Sequence, residues 1–435
     1  MSQIIFIIYN IIFVPLLFVS VHIAGLFNAK IRNGLIGRRD LFLKLKTHID
    51  TLAEGQPRIW MHTSSAGEFE QGKPVIEEFK KSFPRGQVVL SFFSPSGYEN
   101  VRVDDDKMII TYLPIDSYWH AKKFIDIVNP TIACVIRHDI WPNFQWRLRK
   151  RNIPSFLIDA SISDEKRQVY KLFAFLYRIV YSTFTHVFAV SDKNALLLKS
   201  IYPWPERLIA VGDTRYDQVD YRTRETGKID PLLKTDYFDK NMTMVAGSTW
   251  TTDNEHLLPA LQQILREFPD FKVVIVPHEP TPENVSDIVV FFQKAGIEIE
   301  RYSQLRSSGD WSFRILLVDA FGLLANLYMM GKLAYVGGGF GLGVNSVLEP
   351  AAYGCLVFFG PRYLNVVEAK VLKDKGGALV IHNQTDIEHV IRDFLNDPGR
   401  SEQRGQISKK MIVENMGASK KVMEIMIKSS PRLRD

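Results

Sequence analysis

Short apolar runs alternate with amphipathic stretches along most of this 435-residue chain. Arg58–Thr63 (RIWMHT), Gln87–Phe93, Lys107–Leu113, Thr131–Ile136, Ser155–Asp159, His186–Val190 and Leu208–Val211 read as strands. Helix-length segments separate most of them, among them Phe69–Phe83, Ser117–Val128 and Glu165–Tyr181. Strands that are apolar on both faces and alternate with helices predict a parallel sheet covered on two sides. The rhythm stops over a charged stretch between Asp217 and Asn241. It restarts with Met242–Ala246, Lys272–Val276, Arg314–Val318, Lys332–Val336, Leu356–Phe359 and Ala378–Ile381. The pattern predicts an α/β protein of two doubly wound domains, with ligands beyond the carboxyl ends of the strands and the site in a cleft the domains face. Residues Glu402–Lys428 read as an amphipathic helix followed by a basic tail.

The first 29 residues break this rhythm. No charged residue occurs from Met1 to Ala29, and Ile4–Phe27 is almost continuously apolar. As a helix this stretch is about 36 Å long, enough for a ~30 Å hydrocarbon core. Lys30, Arg32, Arg38, Arg39, Lys44 and Lys46 follow, against Asp40 and Asp50. A basic collar after an apolar helix places the rest of the chain on the cytoplasmic side and also attracts anionic head groups. A cleaved signal would carry its positive charge ahead of a shorter apolar core, so an uncleaved anchor is expected. Pro15 and Asn10 leave room for a kinked helix that lies in one leaflet instead of crossing. The expected layout is an anchor over 1–29, an N-terminal domain over 30–216, a linker over 217–241 and a C-terminal domain over 242–435.

Composition adds limits. The hydrophobic fraction is 46% and the charged fraction 23%, which excludes a disordered chain. The two cysteines, Cys134 and Cys355, sit in apolar runs, so buried thiols in a reducing compartment are expected. No Cys/His spacing suggests zinc, and Asp104-Asp105-Asp106 reads as a solvated turn. No metal site is expected.

The chemistry concentrates in two places. Gly337–Glu349 (GGGFGLGVNSVLE) follows a predicted strand and leads into a helix expected to start near Ser346. Glycines let the backbone approach a ligand, and free N–H groups at a helix start attract an anion. Glu349, in the helix's first turn, is placed to accept hydrogen bonds from ribose hydroxyls; a plain tight turn is the alternative. The second place is Ser64-Ser65-Ala66-Gly67-Glu68, directly after the first strand. Glu68 is a candidate general base there, with helix capping as the competing role. Weaker candidates are Arg137-His138-Asp139, Gly212–Asp217 with Arg215, Gly247-Ser248-Thr249 and Pro277-His278.

Taken together, HTSSAGEFEQGKPVIEEF, FFSPSGYE, YLPIDS, IWPN, GDTRYD, GSTWTTDNE and GGGFGLGVNSVLEPAAYGCLVFFGPRYLNVVEA occur in the order seen in the Kdo (3-deoxy-D-manno-octulosonic acid) transferases, which the chain resembles over essentially its whole length. The resemblance implies a GT-B fold and inverting transfer of Kdo from CMP-Kdo to a phosphorylated lipid A precursor of lipid IVA type. It also implies attachment to inner-membrane lipids on the cytoplasmic side, with neither a bound metal nor a further cofactor and no nucleic-acid partner. By residue, Glu68 matches the catalytic base, and Asp139 and Arg215 match groups that stabilise the transition state. Pro277 and His278, Phe321, Gly322 and Leu323, and Ser346, Val347, Leu348 and Glu349 match the segments that hold CMP.

The chain departs from the family pattern at Arg137-His138-Asp139 (usually Glu-Thr-Glu), Val344-Asn345-Ser346 (usually Gly-His-Asn), Pro277-His278-Glu279 (usually Pro-Arg-His) and Arg215 (usually Lys). These resemble a divergent, Bacteroidota-like branch. Two other readings fit the residues: a GT-B enzyme with a different nucleotide-sugar donor, and a catalytically silent lipid A-binding protein.

Overall fold

A computed structural model of the chain describes residues 2–102, 105–162, 174–224, 233, 235–305 and 311–433. They form two compact units, one of residues 1–218 with 416–435 and one of residues 219–415.

The first unit holds strands β1 (Arg58–Thr63), β2 (Gln87–Phe92), β3 (Met108–Tyr112), β4 (Ile132–Ile136), β5 (Ser155–Ala160), β6 (His186–Ala189) and β7 (Leu208–Ala210). They pair in the order β3-β2-β1-β4-β5-β6-β7, every pair parallel. The direction of winding reverses between β1 and β4, where this architecture opens a crevice for ligands. Alternation in β1 feeds two cores. Ile59 and Met61 join Val75 and Phe79 of the helix Ala66–Ser82, while Trp60 turns to Phe124 and Phe144 on the opposite face. Every residue of β2, β4 and β5 is buried, which is why these strands read as mostly apolar runs; their few polar residues, among them Ser91 and Asp159, are buried with them. Each fully buried large side chain contributes roughly 2–3 kcal/mol.

The second unit holds β8 (Thr243–Thr249), β9 (Lys272–Pro277), β10 (Ile299–Arg301), β11 (Ile315–Leu317), β12 (Leu333–Val336), β13 (Leu356–Phe359) and β14 (Ala378–Val380). Their order is β10-β11-β9-β8-β12-β13-β14, again all parallel, with the reversal between β8 and β12. Strand β10 was not expected from sequence. It is a half-exposed edge strand reading Ile-Glu-Arg, with no apolar run to mark it.

The structure corrects the C-terminal boundary. The helix expected over Glu402–Lys428 is two helices, Pro398–Asn415 and Ala418–Ser429, separated by Gly417 at φ 99°. The second packs Val422, Met423 and Met426 into the first unit's core beside Met61 and Phe79. Its free N–H groups explain the docking: Gly417 and Ser419 donate to the two carboxylate oxygens of Asp217 at 2.5 and 2.7 Å. The C-terminal unit therefore ends at 415 and not at 435. The stretch expected as linker begins inside the helix Thr214–Arg224. Of the helix expected over Glu165–Tyr181, the structure describes Ala174–Tyr181; its earlier part, like Asp104, lies outside the described residues.

Candidate functional site

In the first unit the candidate residues gather at the reversal point. Ser65 caps the helix Ala66–Ser82. Glu68 Oε2 accepts the Ser64 N–H at 2.6 Å, so the carboxylate folds back over the strand–helix turn. Its second oxygen has no protein partner among the described residues. The Ser64 carbonyl accepts the Ser94 N–H at 2.9 Å, stitching the loops after β1 and β2 together. The capping role weighed for Glu68 is real, yet it occupies one oxygen and leaves the other for chemistry.

Asp139, beyond β4, meets His62 of β1: Nε2 lies 2.9 Å from Oδ2. The His62 ring is buried and its Nδ1 lies 2.9 Å from Ser91 Oγ, which also takes the Trp60 Nε1–H at 2.9 Å. An indole N–H only donates. Ser91 Oγ therefore accepts from Trp60, while His62 Nδ1 lies between that hydroxyl and the Ser91 carbonyl, 3.1 Å away, and the Nε2–H faces the Asp139 carboxylate, which accepts. These contacts hold the buried ring and fix the carboxylate across the crevice between β1 and β4. Sequence reasoning missed His62 because an imidazole inside an apolar run looks like filler.

Arg215 opens the helix Thr214–Arg224, its guanidinium bound to both oxygens of Asp213, to Oδ2 at 2.6 Å and to Oδ1 at 3.0 Å. Beneath it Asp159, wholly buried at φ 55°, accepts the Thr214 N–H at 3.1 Å and the Thr214 hydroxyl. Burial and the neighbouring Asp213 push the Asp159 carboxyl upward, and Thr214 and Arg137 oppose the rise.

In the second unit the candidates lie on loops beyond four neighbouring strands, β11, β9, β8 and β12. Phe321 is exposed and Gly322 takes φ 86°, after β11. Pro277 ends β9, and the His278 ring stacks on Trp250, beyond β8, with centroids 4.2 Å apart. The run after β12 is anchored by a residue not singled out from sequence, Asp253. Its buried carboxylate accepts from the Gly338 N–H at 2.7 Å, the Trp250 N–H at 2.9 Å and the Tyr335 hydroxyl at 2.7 Å. The available signal was GSTWTTDNE, where an acid three residues into a helix looks like an ordinary cap.

The glycines of this run serve backbone packing: a Cβ on Gly337 would strike the Ser248 carbonyl, and one on Gly339 the Gly360 backbone. The helix begins at Leu348, not Ser346, and spans only Leu348–Ala352. Asn345 delays it by bonding back to the Gly337 carbonyl through both its backbone and its side-chain amide, each at 3.0 Å. Val347 and Leu348 are buried, so they present backbone only. Glu349 accepts from the Ser346 hydroxyl and lies 3.9 Å from Arg222. Both thiols are buried, and that burial pushes Cys134 upward and Cys355 up to about 12. Among the described residues no three His, Cys, Asp or Glu side chains converge as a metal set.

Comparison with known proteins agrees with this geometry. The family described as 3-deoxy-D-manno-octulosonic-acid transferase (kdotransferase) matches residues 39–218, nearly the whole globular part of the first unit. The 3-deoxy-D-manno-octulosonic acid transferase of Haemophilus influenzae is 26% identical over 375 residues, covering 85% of this chain and 86% of that one. The Aquifex aeolicus protein of the same name is 25% identical over 353 residues, covering 80% and 88%. Among solved structures, the UDP-GlcNAc 2-epimerase of Neisseria meningitidis superposes with a TM-score of 0.60 at 14% identity, covering 85% of this chain and 100% of that one. That likeness shows the fold, two doubly wound units of the GT-B class. Over residues 39–218 the chain matches the Kdo transferase family, and curated Kdo transferases resemble it over four fifths or more of its length, which marks it as a glycosyltransferase.

Proposed function

We propose that this enzyme transfers Kdo from CMP-Kdo to a phosphorylated lipid A precursor of lipid IVA type, with inversion, at the cytoplasmic face of the inner membrane. Relatives named as Kdo transferases match four fifths or more of the chain, and the motif order extends that match into both units. The observation that carries the mechanism is Glu68, held by one oxygen through the Ser64 N–H with the other oxygen left for a substrate proton.

In this reading Glu68 takes the proton of the acceptor's primary hydroxyl as its oxygen bonds to the anomeric carbon of Kdo. The bond from that carbon to the phosphate oxygen breaks, and CMP leaves with the electron pair. Asp139 and Arg215, held by His62 and Asp213, stabilise the transition state as fixed charges. CMP is assigned to Pro277–His278, Phe321–Leu323 and Ser346–Glu349, with the Glu349 carboxylate exchanging the Ser346 hydroxyl for a ribose hydroxyl. Asp253 acts as a positioning residue that keeps the glycine run in register.

A donor panel tests the assignment. Purified enzyme with a lipid A precursor should release nucleotide from CMP-Kdo and from no UDP- or GDP-sugar. Turnover with a UDP-sugar and none with CMP-Kdo would replace the donor assignment.

A further inference from the structure

The apolar N-terminal segment runs as a helix over Gln3–Phe27, the one stretch among the described residues long and apolar enough to cross a membrane. Its turn over Tyr9–Phe13 is π-helical, immediately ahead of Pro15, which has no N–H to give the preceding turn. Two polar side chains on this widened turn face the first unit. Tyr9 donates to Asp116 Oδ2 at 2.7 Å, and Asn10 and Asn143 exchange amide hydrogen bonds at 3.0 Å in each direction. Phe6 packs edge-on against Trp146 and Tyr118 around this contact. Asp116 and Asn143 belong to YLPIDS and IWPN, motifs for which the transfer chemistry has no use.

The far end of the segment is fastened too. After Asn28 the helix Ala29–Gly37 folds back against Val14–Phe27. Arg38 then donates to the carbonyls of Leu113 and Phe93 at 2.8 and 2.6 Å. Both ends of the apolar segment are thus held by one unit.

We infer that the Tyr9–Asp116 and Asn10–Asn143 contacts are a latch that keeps the N-terminus on the same side of the membrane as the first unit, so that the segment enters one leaflet as a hairpin and does not cross it. A crossing helix would carry residues 3–10 to the face opposite the unit that follows Phe27, whereas these are the residues that dock on it. Beyond the latch, Pro15–Phe27 measures only about 20 Å as a helix, short of the ~30 Å hydrocarbon core. Twelve large apolar side chains between Ile4 and Phe27 remain exposed, too many on one helix for water to tolerate. The partner is therefore lipid. Exposed Trp119 and the cations of Arg149 and Lys150, which have no ion-pair partner among the described residues, border the groove beside the latch, a composition suited to an anionic head-group surface.

This inference rests on the reading of the enzyme as membrane-bound, and the test separates the two. The full chain carrying Gln3→Cys is added to preformed vesicles containing phosphatidylglycerol and treated with a membrane-impermeant maleimide; Glu54→Cys, in the unit itself, is the control. Both native thiols are buried, so background labelling is low. Labelling at position 3 should match the control within about twofold without detergent. Protection of position 3 that detergent relieves would overturn the latch and restore a crossing helix. Failure of the chain to bind vesicles at all would overturn the membrane reading and the inference with it. As a second readout, Asn10→Cys with Asn143→Cys should be bridged by a short bis-maleimide in vesicle-bound enzyme that still releases CMP. Absence of bridging in the bound state would also contradict the latch.

Discussion

The Nε2 of His62 stands 2.9 Å from the Asp139 carboxylate, joining the strands on either side of the first sheet's reversal point. The imidazole is held in place from its other side, where Nδ1 lies 2.9 Å from the Ser91 hydroxyl and 3.1 Å from the Ser91 carbonyl, and a carboxylate only accepts, so Nε2 donates. His62→Ala removes the donor and should lower kcat about tenfold with little change in KM for the donor sugar. His62→Gln, which restores an N–H near the Nε2 position, should recover part of that loss. Equal activity of both variants with wild type, measured by CMP release, would remove His62 from the account.

Asp253 concerns the donor rather than the chemical step. Asp253→Ala leaves the Gly338 and Trp250 N–H groups and the Tyr335 hydroxyl without their acceptor, a loss of about 3 kcal/mol of stability. CMP affinity by calorimetry should fall at least about tenfold as the glycine run loosens. Unchanged CMP affinity in a folded variant would separate the run from donor binding.

Asp116 carries the expected pH dependence of stability. Its carboxyl is wholly buried, one oxygen has no hydrogen-bond partner among the described residues, and burial raises it to about 7 against hydrogen bonds from Tyr9 and Asn143 that favour the anion. A carboxyl whose folded value exceeds its unfolded value of 3.8 makes the folded state bind more protons between those values. Its contribution is complete below about 4 and is lost as pH rises through about 7. Thermal stability of the wild type in detergent should fall across that window, with about one proton taken up on folding. Asp116→Asn should flatten that part of the profile, and an unchanged slope would place the titration elsewhere.

Chelation addresses the metal-free expectation, which rests on family resemblance. EDTA in excess should leave the rate of CMP release within about twofold of the untreated enzyme. A loss restored by Mg2+ or Mn2+ would show that a cation takes part.

Thirteen of the fourteen strands among the described residues were legible because buried parallel strands are apolar on both faces; β10 was not, being short, charged and at an edge. The place of Ala418–Ser429 was illegible for another reason. The stripe of Val422, Met423 and Met426 would suit either sheet, and the contacts that place it on the first, above all the Asp217 cap, come from some 200 residues earlier. Within the candidate site, loops at carboxyl ends of strands were found from motif position alone. What escaped was the layer beneath them, Asp253 and His62, whose decisive contacts, to Gly338 and Tyr335 and to Asp139, reach partners distant in sequence. The helix start near Ser346 was misplaced because Asn345 turns its bonds backward to Gly337, a contact that no local propensity announces.

Mass spectrometry of a lipid A precursor incubated with CMP-Kdo and either wild-type enzyme or Glu68→Gln decides whether Kdo is transferred with Glu68 as base. Kdo transfer with Glu68 as base predicts one or more added Kdo masses with wild type. It predicts a rate at least about a hundredfold lower for the variant, with CMP binding intact. Transfer by Glu68→Gln at a near-wild-type rate would contradict it.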